Sequence, residues 1–145
     1  MIGLRAATAA DAGAIAEVFT ASRELLTFLP KLHTAEEDRA FIAHHIVPEY
    51  RLTLAEEDGR LLGYMAEGEA WIEHLYVSPA AVRSGIGSAL MAEAKARQKQ
   101  LELWCFKQNL KGRAFYAAHG FVALYETDGS GNEERSPDVR YRWER

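Results

Sequence analysis

The sequence predicts a single α/β domain, in the α+β sense of a mixed sheet with helices on its faces, and three observations carry that expectation. Seven short runs read as strands, by alternation or by their strand-forming residues. Four other segments space their apolar residues at helical intervals and carry helix start or stop signals. The order of these runs, β-α-α-β-β-β-α-β-α-β-β, interleaves strands with helices and contains no internal repeat or linker. With 145 residues, 48% of them apolar and 26% charged, residues 1–145 are expected to form one domain with a substantial core.

The elements follow in order. Ile2 to Ala7 alternates weakly and reads as a strand. Thr8 and Asp11 provide an N-cap and early acidic character for a helix carrying Ile15, Val18, Phe19, Leu25 and Leu26, which Pro30 ends. Thr34 and Glu37 form a capping-box pattern, so a second helix starts there and stops before Pro48. RLTLAEEDGRLLGYMAEG reads as a hairpin turning at Asp58-Gly59, and Ala70 to Val77 is the next strand. IGSALMAEAKARQKQ has good helix formers and few β-branched residues. LELWCF is a strand, and LKGRAFYAAH is a helix closed by Gly120. FVALYET and VRYRWER are two closing strands around the polar, glycine-rich loop DGSGNEERSPD.

Bulk properties exclude several classes. A net charge of -4 argues against a protein that neutralises many phosphates, so no nucleic-acid partner is expected. No apolar stretch approaches the roughly 20 residues of a membrane span, and MIGLRAAT lacks the pattern of a signal peptide. The expected location is therefore the cytoplasm, with no membrane partner. Cys105 is the single cysteine and sits in an apolar strand, which predicts packing rather than nucleophilic chemistry. His33, His44, His45 and His119 show no ligand-like spacing, so no metal is expected.

The most informative stretch is VSPAAVRSGIGSALM, a strand end, a turn with Gly85 and Gly87, and a helix start. Such a turn presents unpaired N–H groups and the positive end of a helix dipole, a geometry that binds anions. There is no GxxxxGK[ST] lysine for a nucleoside triphosphate and no GxGxxG in an opening βαβ unit. LYVSPAAVRSGIGSALM, followed by a strand and then NLKGRAFYAAHGF, resembles the GNAT superfamily of N-acetyltransferases. That family's pyrophosphate loop reads Q/R-x-x-G-x-G/A after a strand ending L-x-V. Its downstream N-x-x-small-x-x-x-Y-x-x-x-G-F falls on Asn109, Gly112, Tyr116, Gly120 and Phe121. The resemblance covers nearly the whole chain and implies a twisted, mostly antiparallel sheet of about seven strands flanked by about four helices. One position departs from the pattern: Val82 occupies the Q/R site, and an arginine follows at Arg83.

The resemblance also implies acetyl-CoA as co-substrate and direct acetyl transfer to a primary amine of a small molecule, peptide or protein. The diphosphate falls to the amides of Arg83, Ser84, Gly85, Ile86, Gly87 and Ser88, with any side-chain contact at Val82 in doubt. Arg83 has two readings, charge toward the phosphates or simple solvation. Pantetheine maps to the strand end Leu75, Tyr76 and Val77, where an N–H near Leu75 can polarise the thioester carbonyl. Tyr116 matches the family tyrosine that protonates the thiolate. Asn109 reads as an N-cap that can also contact pantetheine.

An ammonium must lose its proton before attack. Glu73 is the candidate base, on the face of Leu75 and Val77 if the strand is regular; a bulge would exchange it with His74, and some family members use no dedicated base. In the family, the region of Leu26 to His33 lines the acceptor pocket, to which Glu133, Glu134 or Asp138 could add acidity; solvation is their alternative. Trp71 and Trp104 read as core or site wall. A non-catalytic acyl-CoA sensor or interaction module is the competing reading, and a generic phosphate-binding domain a third. Neither the acceptor nor the choice between monomer and homodimer is fixed by sequence.

Overall fold

A computed structural model of the chain describes residues 2–81 and 84–145. Seven strands form one sheet: β1 (Gly3–Ala6), β2 (Arg51–Glu57), β3 (Arg60–Gly68), β4 (Trp71–Val77), β5 (Gln100–Phe106), β6 (Val122–Thr127) and β7 (Asp138–Glu144). Their spatial order is β1-β2-β3-β4-β5-β7-β6. All neighbours are antiparallel except β4 and β5, which run parallel. Four helices cover the faces: α1 (Ala12–Glu24), α2 (Ala35–Phe41), α3 (Ile86–Arg97) and α4 (Leu110–Ala118).

Local chemistry explains the element ends. Asp58 and Gly59 take φ of 52° and 77°, the paired left-handed conformation that lets a two-residue turn follow strand twist. The Thr34 hydroxyl accepts from the Glu37 amide at 3.1 Å while the Thr34 amide donates to the Glu37 carboxylate at 2.9 Å, starting α2. α2 does not run on as α-helix toward Pro48. It passes into a π-helical turn, Ile42–Ile46, in which the Val47 amide reaches back to the Ile42 carbonyl. That wider turn seats Ile42 and Ile46 together in the core. At the end of α4 the Phe121 amide bonds the Tyr116 carbonyl at 3.0 Å, with Gly120 at φ 85°, the glycine-closed end the sequence predicts.

Two cores sandwich the sheet. On one face Ile15, Phe19, Ile42 and Ile46 of the first two helical segments pack on Leu52, Leu54 and Tyr64. On the other, Ile86, Leu90, Met91 and Ala94 of α3 pack on Met65, Ile72, Leu101 and Leu103, with Phe115 and Tyr116 of α4 at the margin. Burying each large aliphatic side chain contributes about 1.5–3 kcal/mol. Cys105 belongs to this second core, and burial pushes its thiol up to about 12, so it stays a packed, unreactive thiol.

Candidate active site

The parallel pair makes the site. β4 and β5 share one paired position, Trp71 opposite Glu102, next to a bond from the Glu102 amide to the Ala70 carbonyl. Beyond it β4 stays with β3 as far as Val77, while β5 stays with β7 as far as Phe106, so the strands part toward their carboxyl ends. The direction of the freed groups follows from strand alternation. The Ser78 amide donates to Leu62 of β3, so Tyr76 also turns its amide toward β3, and Leu75 and Val77 turn theirs into the gap. The Val77 carbonyl points away from β3 as well, accepting from the Ser22 hydroxyl of α1 at 2.9 Å.

The glycine turn stands at the open end of this gap. Gly85 caps α3 at φ 80°, a conformation that favours glycine, and the first-turn amides that follow have no helical partners. Gly87 meets a packing demand instead: a Cβ there would lie 3.1 Å from the Phe115 ring of α4. The Ser84 hydroxyl donates to the Ala81 carbonyl, and the Ser88 hydroxyl to Nε2 of His119, whose Nδ1–H is held by the Phe115 carbonyl. Val82 and Arg83 lie outside the described residues.

Tyr116 of α4 flanks the same gap. Its ring is half-buried against Phe115, Phe121 and Tyr141. Burial raises its phenol pKa, with further increments from Cys105 of β5 and Tyr76 of β4, so the hydroxyl stays protonated. Among the described residues that hydroxyl has no hydrogen-bond partner. Asn109 caps α4, its side chain accepting from the Gly112 amide at 3.0 Å.

A cavity of about 720 Å³ opens on the opposite face, between α1, the 26–33 segment, α2, and the loop carrying Glu133 and Glu134. Leu26, Leu29, Pro30, Lys31, Leu32 and His33 line it, whereas Asp138 instead accepts from Thr127 and Asn132. Arg23 of α1 donates to Glu134 at 2.6 Å and lies over Phe106. His33 pairs with Glu133. A helical arginine four residues beyond Phe19, on the apolar stripe, was the one available sequence signal for Arg23.

Of the two arrangements open for Glu73, a regular strand or a bulge, the structure has the bulge, so Glu73 leaves the face that simple alternation gives it. Ala66 pairs with His74 and Glu67 with Ile72, so Glu73 is an extra residue in a β-bulge. Ile72, Leu75 and Val77 therefore share the α3 core, and Glu73 does not join them. It is exposed, accepting from Tyr50 at 2.7 Å and from the Trp71 indole at 3.2 Å. His74 lines the cavity and Glu73 does not.

Comparison with known proteins decides the family. The model of the acetyltransferase (GNAT) family matches residues 18–121, most of the chain. The chain belongs to the GNAT acetyltransferase family. The peptidyl-lysine N-acetyltransferase YiaC of Escherichia coli (strain K12) is 42% identical to this GNAT chain over 67 residues. That match spans 46% of this chain and 46% of the relative, so the chain covers about half of that relative's length. The solution structure of YjaB from Escherichia coli superposes with TM-score 0.81 at 17% identity, covering 99% of this chain and 97% of that one. The PaiA N-acetyltransferase of Thermoplasma acidophilum, solved in complex with coenzyme A, gives 0.75 at 18%, covering 100% and 99%. The seven-stranded, mostly antiparallel sheet of this chain, with its four helices, matches the GNAT fold. Among the described residues no cluster of His, Cys, Asp or Glu is arranged to hold a metal, and no helix is long and apolar enough to cross a membrane.

Proposed function

We propose that this protein is an acetyl-CoA-dependent N-acetyltransferase that moves acetyl directly to a primary amine of a small molecule, peptide or protein. The observation that carries the reading is the parting of β4 and β5, which leaves the Leu75 and Val77 amides unpaired beside the glycine turn that starts α3. An amide-rich pantetheine arm fits an open strand edge, and a diphosphate fits a helix start. The YiaC name, which specifies a peptidyl-lysine acceptor, and the coenzyme A bound to PaiA support the donor and the amine class.

Acetyl-CoA supplies the activated acetyl group as a thioester. In this reading the amides of Ser84, Gly85, Ile86, Gly87 and Ser88 hold the diphosphate, with Val82 and Arg83 assigned to the same loop. Leu75, Tyr76 and Val77 hold the arm, Asn109 contacts it, and the Leu75 amide polarises the carbonyl. Tyr116 donates the proton that the departing sulfur takes up. The cavity beside His74 admits the acceptor. Glu73 takes the ammonium proton through solvent, since the carboxylate is exposed outside the cavity wall.

The test is a thiol-release screen with acetyl-CoA over chemically diverse amines, with the acetylated product identified by mass. Free thiol matched by N-acetyl product is the expected result. Coenzyme A binding with no thiol release above background for any amine would instead establish a non-catalytic acyl-CoA sensor.

A further inference from the structure

His74 and Tyr64 form a unit that the acetyl-transfer reading leaves without a task. His74 is 8% exposed and lines the cavity, its ring stacked on Phe19 at 5.1 Å and 8°. Its Nδ1 lies 2.9 Å from the Tyr64 hydroxyl, itself fully buried. Among the described residues that hydroxyl has no other partner. A buried O–H without an acceptor costs about 1–3 kcal/mol, so Tyr64 donates to Nδ1 and the ring proton resides on Nε2. Nε2 has no protein partner among the described residues. Burial foremost, and then the Arg23 charge, hold the imidazole neutral, its pKa near 3.

The result is one N–H donor of fixed position between the Phe19 and Phe41 rings, in a cavity whose other walls also carry charged side chains. A donor so placed selects a ligand oxygen and penalises a ligand without one. Five carboxylates, Glu24, Glu37, Asp38, Glu133 and Glu134, line the cavity against the cations Arg23 and Lys31, with Arg23 already paired to Glu134, so the balance is acidic and disfavours an anionic ligand. The donor does not serve the gap, because Leu75 and Val77 turn their amides there while the His74 side chain stands on the α1 face. Resting on the acetyl-transfer reading, we propose that His74 determines acceptor specificity by donating from Nε2 to an uncharged carbonyl oxygen, so that the acceptor is an amine that carries an amide. Tyr64 is a positioning residue that sets the tautomer.

The experiment measures kcat/KM for glycinamide, lysinamide, glycine and propylamine in the wild type, His74→Phe and Tyr64→Phe, together with the ¹⁵N spectrum of the wild-type His74 ring. His74→Phe keeps the aromatic stack and removes the donor. The preference for the amides over propylamine should fall about tenfold in His74→Phe, and partly in Tyr64→Phe. The spectrum should show Nε2 protonated and Nδ1 bare, a result that needs no folded variant. Taking the variant-to-wild-type ratio for each acceptor cancels intrinsic amine reactivity. An unchanged preference, an equal loss for every acceptor, or a proton on Nδ1 overturns the proposal alone. Absence of turnover of any amine by the wild type overturns the acetyl-transfer reading beneath it.

Discussion

Arg23 and Glu134 bond at 2.6 Å although 111 residues separate them. The pair fastens the β6–β7 loop to α1 at the edge of the cavity, and Arg23 lies over Phe19 and Phe106 at 5.4 and 5.8 Å. Burial opposes the Arg23 charge, and Tyr76 and Glu134 restore it, so the guanidinium pKa ends raised. Glu134→Gln leaves a mostly buried cation short of its partner. Urea unfolding should show a loss of about 1–3 kcal/mol. The acceptor KM should rise while the acetyl-CoA Kd stays constant.

Tyr116→Phe retains the ring contacts with Phe115 and Phe121 and removes one hydroxyl. If that hydroxyl protonates the departing sulfur, kcat falls by about a hundredfold or more. Calorimetry should find acetyl-CoA affinity within about twofold of the wild type, since less than 0.5 kcal/mol of binding is at stake. An unchanged kcat with a verified acceptor removes Tyr116 from the chemistry.

The two glycines of the turn fail for different reasons. Gly85→Ala puts a Cβ into open space at φ 80° and costs about 1 kcal/mol of backbone strain. Gly87→Ala drives its Cβ against Phe115 and costs about 1–3 kcal/mol unless α4 shifts. Both variants should weaken acetyl-CoA binding and leave the acceptor KM unchanged, as titration and steady-state kinetics read separately.

His74 predicts a pH dependence of stability. Its folded pKa of about 3 lies below the ordinary 6.5, so between these values the unfolded chain binds a proton that the folded chain refuses. The stabilisation is present above pH 6.5 and drains away as pH falls toward 3, on the order of a few kcal/mol. Unfolding midpoints over that window should fall less steeply for His74→Phe than for the wild type.

Local signals made most of the fold legible. Thr34 and Glu37, Asp58-Gly59 and Gly120 each encode a cap or turn within a few residues, and each stands in the structure where the sequence puts it. The glycine turn likewise announces itself by its neighbours on either side. The bulge at Glu73 does not, because a strand's register is set by its partner: Glu67 pairs with Ile72 rather than Glu73. One extra residue moves Glu73 off the face of Leu75. For the same reason the bonds of Arg23 to Glu134 and of Tyr64 to His74 could not be read in advance, since each needs two distant or cross-strand side chains to meet. The π-turn after Phe41 was equally hidden, because its residues also suit an ordinary helix.

Amide hydrogen exchange at Leu75 and Val77 reads out whether the parted strands β4 and β5 receive the acyl donor. Acetyl-CoA should slow exchange at both amides and across Ser84 to Ser88, while ATP at the same concentration leaves Leu75 and Val77 unchanged. Unaltered exchange at Leu75 and Val77 under saturating acetyl-CoA would mean that the donor does not bind between β4 and β5.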